Sequence, residues 1–187
     1  RVHSNPGWFP IIRTTPDRGK YRDELAEDIK KAKEIADIVV MSWHWGLSPY
    51  QLHPGAGPGD VEVMEYQKEM AHFVIDCGVD LVLGHHSHQP QPIEIYNGKA
   101  IFYSLANFVH DLADFKEMKF MAIFSKCLIK DGKISQLSFI PGTIDGNGPP
   151  VFGKPADLPD VVNRMQEMSS SYGTKFKVND EEVVIVL

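Results

Sequence analysis

The stretch Val79-Asp80-Leu81-Val82-Leu83-Gly84-His85-His86-Ser87-His88 decides how this chain is read. Its first half is a short apolar run, Leu81 to Leu83, of the kind that forms a strand buried on both faces of a parallel sheet. Its second half places three imidazoles within four positions, where that strand should end. In open α/β sheets, ligands gather outside the carboxyl ends of the strands. A buried strand running into His-His-Ser-His therefore points to a metal or catalytic site, because neutral imidazole offers a lone pair near pH 7. A second run, Asp37 to Ser42, leads in the same way into Trp43-His44-Trp45-Gly46. Two buried strands that deliver histidines to one end of a sheet form a constellation.

The flanking segments supply the rest of an α/β pattern. Tyr21 to Ala36 predicts a helix with Leu25, Ile29, Ala32 and Ala36 on one face and Glu24, Asp28 and Lys31 facing outward. Glu62 to Cys77 predicts a second, with Val63, Tyr66, Met70, Phe73, Val74 and Cys77 inward and Gly78 as its C-terminal cap. Helix–strand–helix–strand with short joints is the signature of right-handed crossovers and a parallel sheet. After Pro92 the pattern becomes hairpins: Ile93–Tyr96 and Lys99–Ser104 around Asn97-Gly98, then Phe120–Ile129 and Lys133–Ile140 around Asp131-Gly132. Residues 141 to 156 read as a Gly/Pro-rich loop, Leu158–Ser169 as a helix and Glu182–Leu187 as a final strand. An extended piece is expected at Phe9–Arg13, and Trp45 to Val61 reads as a long loop, either a lid over the site or a surface insertion.

The fold class expected is a layered α/β unit, parallel strands followed by hairpins, forming one domain over residues 1–187. Apolar residues make up 43% and charged residues 24%, an ordinary globular balance. A formal charge of −6 and the lack of a Lys/Arg stripe argue against nucleic acid or an anionic membrane as partner. Apolar runs fall far short of the roughly 20 residues that span a bilayer. Cys77 and Cys127 read as buried small hydrophobes rather than a redox pair. The chain starts without Met, as a processed piece or fragment would.

Among the eight histidines, His44, His86 and His88 are the candidates for metal or catalysis. His86 and His88 flank a small Ser87, so both rings can project to one side of an extended turn. His85 belongs to the same run with a weaker claim, and His110 is a candidate for the rim. His72 shares a helix face with Glu65, Lys68, Glu69 and Asp76 and reads as solvated. His53 lies in the long loop, and His3 is too near the start to place. Gly59-Asp60 reads as turn chemistry. No nucleophile elbow, P-loop or dinucleotide fingerprint competes.

Trp43-His44-Trp45-Gly46, Gly78 to His88, and Ile101-Phe-Tyr-Ser-Leu-Ala-Asn-Phe108, with Tyr66-Gln67 between the first two, together resemble the CapA capsule-synthesis family. That family is associated with bacterial poly-γ-glutamate and belongs to the calcineurin-like metallophosphatase superfamily. The resemblance implies an α/β/β/α sandwich with a two-metal site (Mn, Zn or Fe), of which this chain would be the carboxy-terminal part. It also implies that His44 and His86 serve one ion and His88 the other, with His85 standing where the superfamily has glycine. The superfamily's earlier ligand motifs would lie upstream of Arg1, so an upstream half of the same domain is an expected partner. Two departures stand out: Leu47-Ser48-Pro49 replaces the acidic residue often found after His-Trp-Gly, and Ala106 replaces the usual glycine.

The function expected from this resemblance is metal-dependent hydrolysis of a phosphoester or of poly-γ-glutamate, an anionic polymer, with His85 or His110 as proton donor. The alternative is a polymer-binding or export component without turnover. A bacterial cell-envelope or extracellular setting would go with either, and self-association through an uncovered apolar face is a further expectation.

Overall fold

A computed structural model describes residues 18–47, 62–108, 119–145 and 149–187. The predicted extended piece at Phe9–Arg13, most of the long loop, His3, His53, Gly59-Asp60 and His110 lie outside the described residues.

Helix α1 (Arg18–Ile35) leads to strand β1 (Val40–His44), and helix α2 (Glu65–Asp76) leads to β2 (Leu81–His85). The hairpin β3 (Ile93–Tyr96) and β4 (Lys99–Phe102) follows. These strands make one mixed sheet in the order β1-β2-β4-β3, with β1, β2 and β4 parallel and β3 antiparallel to β4. The long hairpin β5 (Lys119–Lys130) and β6 (Lys133–Asp145) starts a second, antiparallel sheet. It is completed by β7 (Val151–Phe152), β8 (Phe176–Val178) and β9 (Val183–Ile185), in the order β5-β6-β9-β8 with β7 paired to β6. Helix α3 (Pro159–Ser170) lies between β7 and β8 in the chain.

The mixed sheet is covered on both faces. On one, Ile29 of α1 and Met70, Ala71, Val74 and Ile75 of α2 pack against Trp43, Val82, Ile101 and Tyr103. On the other, Leu81, Ala100 and Phe102 pack against Ile123, Leu137, Phe139, Val183 and Ile185 of the second sheet, with Val161, Val162 and Met165 of α3 closing the same core. Two-faced burial explains why β2 reads as a continuous apolar run rather than an alternation. The inward faces of α2 and α3 match the helical spacing, although Ala36 is exposed rather than packed.

Both histidine-bearing strands lie two to three residues later than the apolar runs predict, Val40–His44 and not Asp37–Ser42, Leu81–His85 and not Val79–Leu83. Side-chain bonds tie the two strand starts together. The Asp80 carboxylate accepts the Val39 N–H (2.9 Å) and a bond from Lys33 Nζ (2.9 Å), while Lys33 also donates to the Asp37 carbonyl (2.8 Å). The expected loop over residues 141–156 also needs correction: β6 continues to Asp145, and β7 pairs with it at Gly142–Thr143. A Cβ at Gly142 would sit 2.6 Å from Phe152 Cε1 and closer still to Cδ1, so the aromatic lies directly over the glycine.

Cys127 is exposed, not buried, and Cys77 is half-buried. The far end of the β5–β6 hairpin carries Leu128 and Ile129 at 44% and 62% exposure, so that end projects beyond the core.

Candidate functional site

Beside the carboxyl ends of β1 and β2 the register sets His44 directly against His85. The Trp45 N–H continues the pairing to the His85 carbonyl (3.1 Å). Beyond β2 the chain turns sharply, with φ of +107° at His86 and +58° at His88. Each is a conformation that costs a non-glycine residue of order 1–3 kcal/mol and tends to persist at functional sites. The turn brings the His86 ring to 4.4 Å from the His44 ring, centroid to centroid, and the His88 ring to 6.3 Å from His86. His44, His86 and His88 are thus brought together.

Each ring has an identifiable electrostatic environment. Burial, followed by repulsion from His88, pushes the His44 imidazole below its ordinary value. Burial pushes His86 down as well, with His44 and His88 adding to the effect. His85 is lowered by burial and then by His44. All three changes favour the neutral ring, the form that ligates a metal. His85 Nε2 lies 3.2 Å from Ser42 Oγ, a separate contact from the His44–His86 pair. His88 Nδ1 lies 2.8 Å from Asn107 Oδ1.

The turn itself is braced by polar groups. Ser87 is fully buried, and its hydroxyl donates to the Gln89 carbonyl (2.6 Å). The Gln91 N–H reaches the Ser104 carbonyl (3.1 Å), and the Leu105 N–H reaches the Gly84 carbonyl (3.0 Å). Trp45, buried and stacked on Trp43 at 5.0 Å, donates its indole N–H to the Tyr103 carbonyl (2.8 Å). On the other side the Gly46 N–H donates to the Tyr66 hydroxyl, and the Met64 N–H to Gln67 Oε1 (2.9 Å). Tyr66-Gln67 therefore brace the exit of the chain from His44.

His72, expected to be solvated, is partly buried. Its Nε2 lies 2.9 Å from Glu94, and its ring stacks on Tyr96 at 3.8 Å. Glu94 also accepts the Tyr103 hydroxyl, and burial together with that carboxylate pushes the Tyr103 phenol far up. An i,i+4 reading of the helix face could not show this, because the partner comes from β3.

The donors fit a divalent metal in kind, since neutral imidazole suits Zn or Fe. They do not fit in number: among the described residues no group of three or more His, Cys, Asp or Glu is gathered closely enough to hold an ion. Among those residues, too, no helix is long and apolar enough to cross a membrane.

Residues 3–112 match the sequence model of a protein family described as "Bacterial capsule synthesis protein PGA_cap". The chain belongs to this family. The match covers the segment that carries all five candidate histidines and agrees with the CapA resemblance of the motifs. The PGA biosynthesis protein CapA of Bacillus subtilis is 45% identical over 83 residues, 44% of this chain and 19% of that protein. The capsule biosynthesis protein CapA of Bacillus anthracis is 30% identical over 169 residues, 88% of this chain and 38% of that protein. A probable polyglutamine synthesis accessory protein of Mycobacterium tuberculosis is 38% identical over 96 residues, 51% of this chain and 23% of that protein. Aligned segments of this PGA_cap chain thus span 19% to 38% of the length of these relatives.

Asn107 and Ser42, which contact histidines of the cluster, escape a search for histidine spacing. The signal for Asn107 was present, since it stands in the Ser104-Leu-Ala-Asn-Phe108 motif, but the motif does not say which histidine it meets.

Proposed function

We propose that this chain carries part of a dinuclear metal-dependent hydrolase that acts in capsule or exopolymer synthesis on a phosphoester or on poly-γ-glutamate. The observation that carries this reading is the meeting of His44 and His86, 4.4 Å apart, where the two parallel strands end. His44 and His86 hold one ion and His88 the other, and the missing ligands come from an upstream half of the same domain. When bound, such ions supply Lewis acidity that polarises a phosphoryl or carbonyl oxygen. His85 is the proton donor, with His110 as the alternative. A mixed sheet with helices on one face and an antiparallel sheet on the other supports the layered α/β/β/α arrangement of metallophosphatases. The relatives named for capsule and poly-γ-glutamate biosynthesis support the process.

The test is metal content together with turnover of a chromogenic phosphodiester and of poly-γ-glutamate, measured on a protein that includes the upstream segment. Metal binding with turnover of either substrate is expected. Neither metal nor turnover would favour the second reading, a polymer-binding or export component on the same fold. The incomplete ligand count among the described residues is the observation on that side.

A further inference from the structure

We infer that the open edge of β1 is the docking site for a parallel strand contributed by the upstream half of the domain, the strand that precedes α1 in the polypeptide. That an upstream half belongs to the domain is part of the reading above. The edge that it joins and the direction of its strand are separate claims.

β1 stands at one end of the sheet order β1-β2-β4-β3. The Trp45 N–H bonds the His85 carbonyl (3.1 Å) and the Asp80 N–H bonds the Val39 carbonyl (2.8 Å), so the odd-numbered residues along β1 face β2. Alternate residues of a parallel strand bond to opposite neighbours. The N–H and C=O groups of Val40 and Ser42 therefore point away from β2, and among the described residues no strand takes them up. The same strand is uncovered on one face. Trp43 is buried with the helices, whereas Val40, in register with Leu81, is 48% exposed on the face where the second sheet covers Leu81. Edge strands are usually blunted by Lys, Pro or a bulge. Val40-Met-Ser-Trp-His44 has none of these, and its make-up is that of an interior strand.

Chain topology names the occupant. α2 carries the chain from β1 to its parallel neighbour β2. α1 lies on the same face of the sheet: Ile29 shares a core with Met70, Ala71 and Val74 of α2, and the Arg22 guanidinium lies 5.2 Å over the Phe73 ring. A helix that covers a parallel sheet and feeds one of its strands is the crossover of a strand–helix–strand unit, and such crossovers are right-handed in about 98% of cases. With both helices on one face, two right-handed crossovers advance in a single direction across the sheet. The strand before α1 therefore falls beside β1, parallel to it, on the side away from β2. The Bacillus anthracis relative is long enough to hold such a strand outside the aligned segment, which is 38% of that protein. A second copy of this chain would meet the edge differently, because a two-fold axis pairs β1 with itself antiparallel.

Hydrogen–deuterium exchange resolved to single residues of β1 tests this without metal or substrate, on the chain of residues 1–187 and on a protein extended upstream. The Met41 and Trp43 amides, which face β2, should be protected in both. Those of Val40 and Ser42 should exchange freely in the shorter chain and roughly 100-fold or more slowly in the extended protein, as amides of a paired ladder do. Val40→Lys should leave the urea midpoint of the shorter chain unchanged and lower that of the extended protein. An equal effect of this variant on both would count against the inference. Fast exchange at Val40 and Ser42 in both proteins would overturn it. So would protection already present in the shorter chain, which would mark a second copy if it grew with protein concentration. Protected amides in an extended protein without metal or turnover would sink the hydrolase reading and leave the docking site standing. Metal and turnover with exchange still fast at this edge would do the reverse.

Discussion

Gly84→Ala should unfold the site from beneath. A Cβ at Gly84 would stand 2.5 Å from the Trp45 indole nitrogen and 2.7 Å from the Tyr103 carbonyl carbon, and closer still to its oxygen. Two of these neighbours are backbone, and the third belongs to a buried indole whose N–H is bonded to that same carbonyl at 2.8 Å. Nothing there is a flexible tip that can swing aside. Pushing Trp45 away breaks the bond and leaves a buried donor and acceptor unsatisfied, about 1–3 kcal/mol. The added methyl in a filled space costs about 1–3 kcal/mol more. Together these come to roughly 4 kcal/mol, which for a chain of this length lowers the melting temperature by roughly 8–16 °C. Urea unfolding followed by near-ultraviolet circular dichroism is the assay, because the stacked Trp43–Trp45 pair reports locally on the same contact. Gly98→Ala is the comparison: its Cβ would meet nothing within 4 Å, and only the turn's φ of +73° opposes it. A Gly84→Ala protein within 1 kcal/mol of the parent, with an unchanged tryptophan signal, would refute the close-approach argument.

Ala106→Gly should stabilise the chain by roughly 0.5–1 kcal/mol, because φ of +67° suits glycine and the relief exceeds the entropy glycine adds to the unfolded chain. A lower urea midpoint for this variant would count against that. Stability should also fall in acid through Asp80 and Glu182. Burial alone would raise the Asp80 carboxyl, but the Val39 amide, Lys33 and Lys99 more than offset it and hold the group below its ordinary range. Bonds from Lys126 and Ser138 hold Glu182 down against the opposing effect of its burial. Between the native and unfolded values the unfolded chain binds more protons, so stability is fully present above about pH 4 to 5 and is lost as pH falls through the native values. Unfolding curves over a pH series should show this slope, and Asp80→Asn should flatten it. An unchanged slope in that variant would mean that the Lys33–Asp80–Lys99 cluster does not set it.

Much of the fold is legible in the apolar pattern. The Leu81–Leu83 run reads as a strand covered on both faces, and the inward residues of α2 and α3 follow helical spacing closely. What the pattern misses are features that depend on partners distant in sequence. Both histidine-bearing strands lie two to three residues later than their apolar runs suggest, and at their start Asp80 bonds Val39, 41 residues away. Two- and three-residue strands such as β7 and β8 exist because β6 and β9 offer open edges, and so short a segment has no period to detect. Cys127 follows a strand pattern into a hairpin end that leaves the core, where alternation no longer reports burial. Within the site, the positions of His44, His86 and His88 were legible. The positive φ angles at His86 and His88 were not, because a histidine gives no local sign of a left-handed turn. Asn107 shows the same limit: its type and motif were visible, but its contact with His88 comes from the parallel pairing of β2 with β4.

The central claim is that His44 and His86 form the nucleus of a metal site. Cobalt(II) titration of a protein that includes the upstream segment, read by its visible absorption, tests it directly in four versions: the parent, His44→Ala, His86→Ala and His72→Ala. The account predicts measurable binding in the parent and weakening by roughly tenfold or more in His44→Ala and His86→Ala, at least the loss expected from removing an outer partner of a ligand. His72→Ala, whose ring is occupied by Glu94 and Tyr96, should bind like the parent. Equal binding by the parent, His44→Ala and His86→Ala would contradict the account.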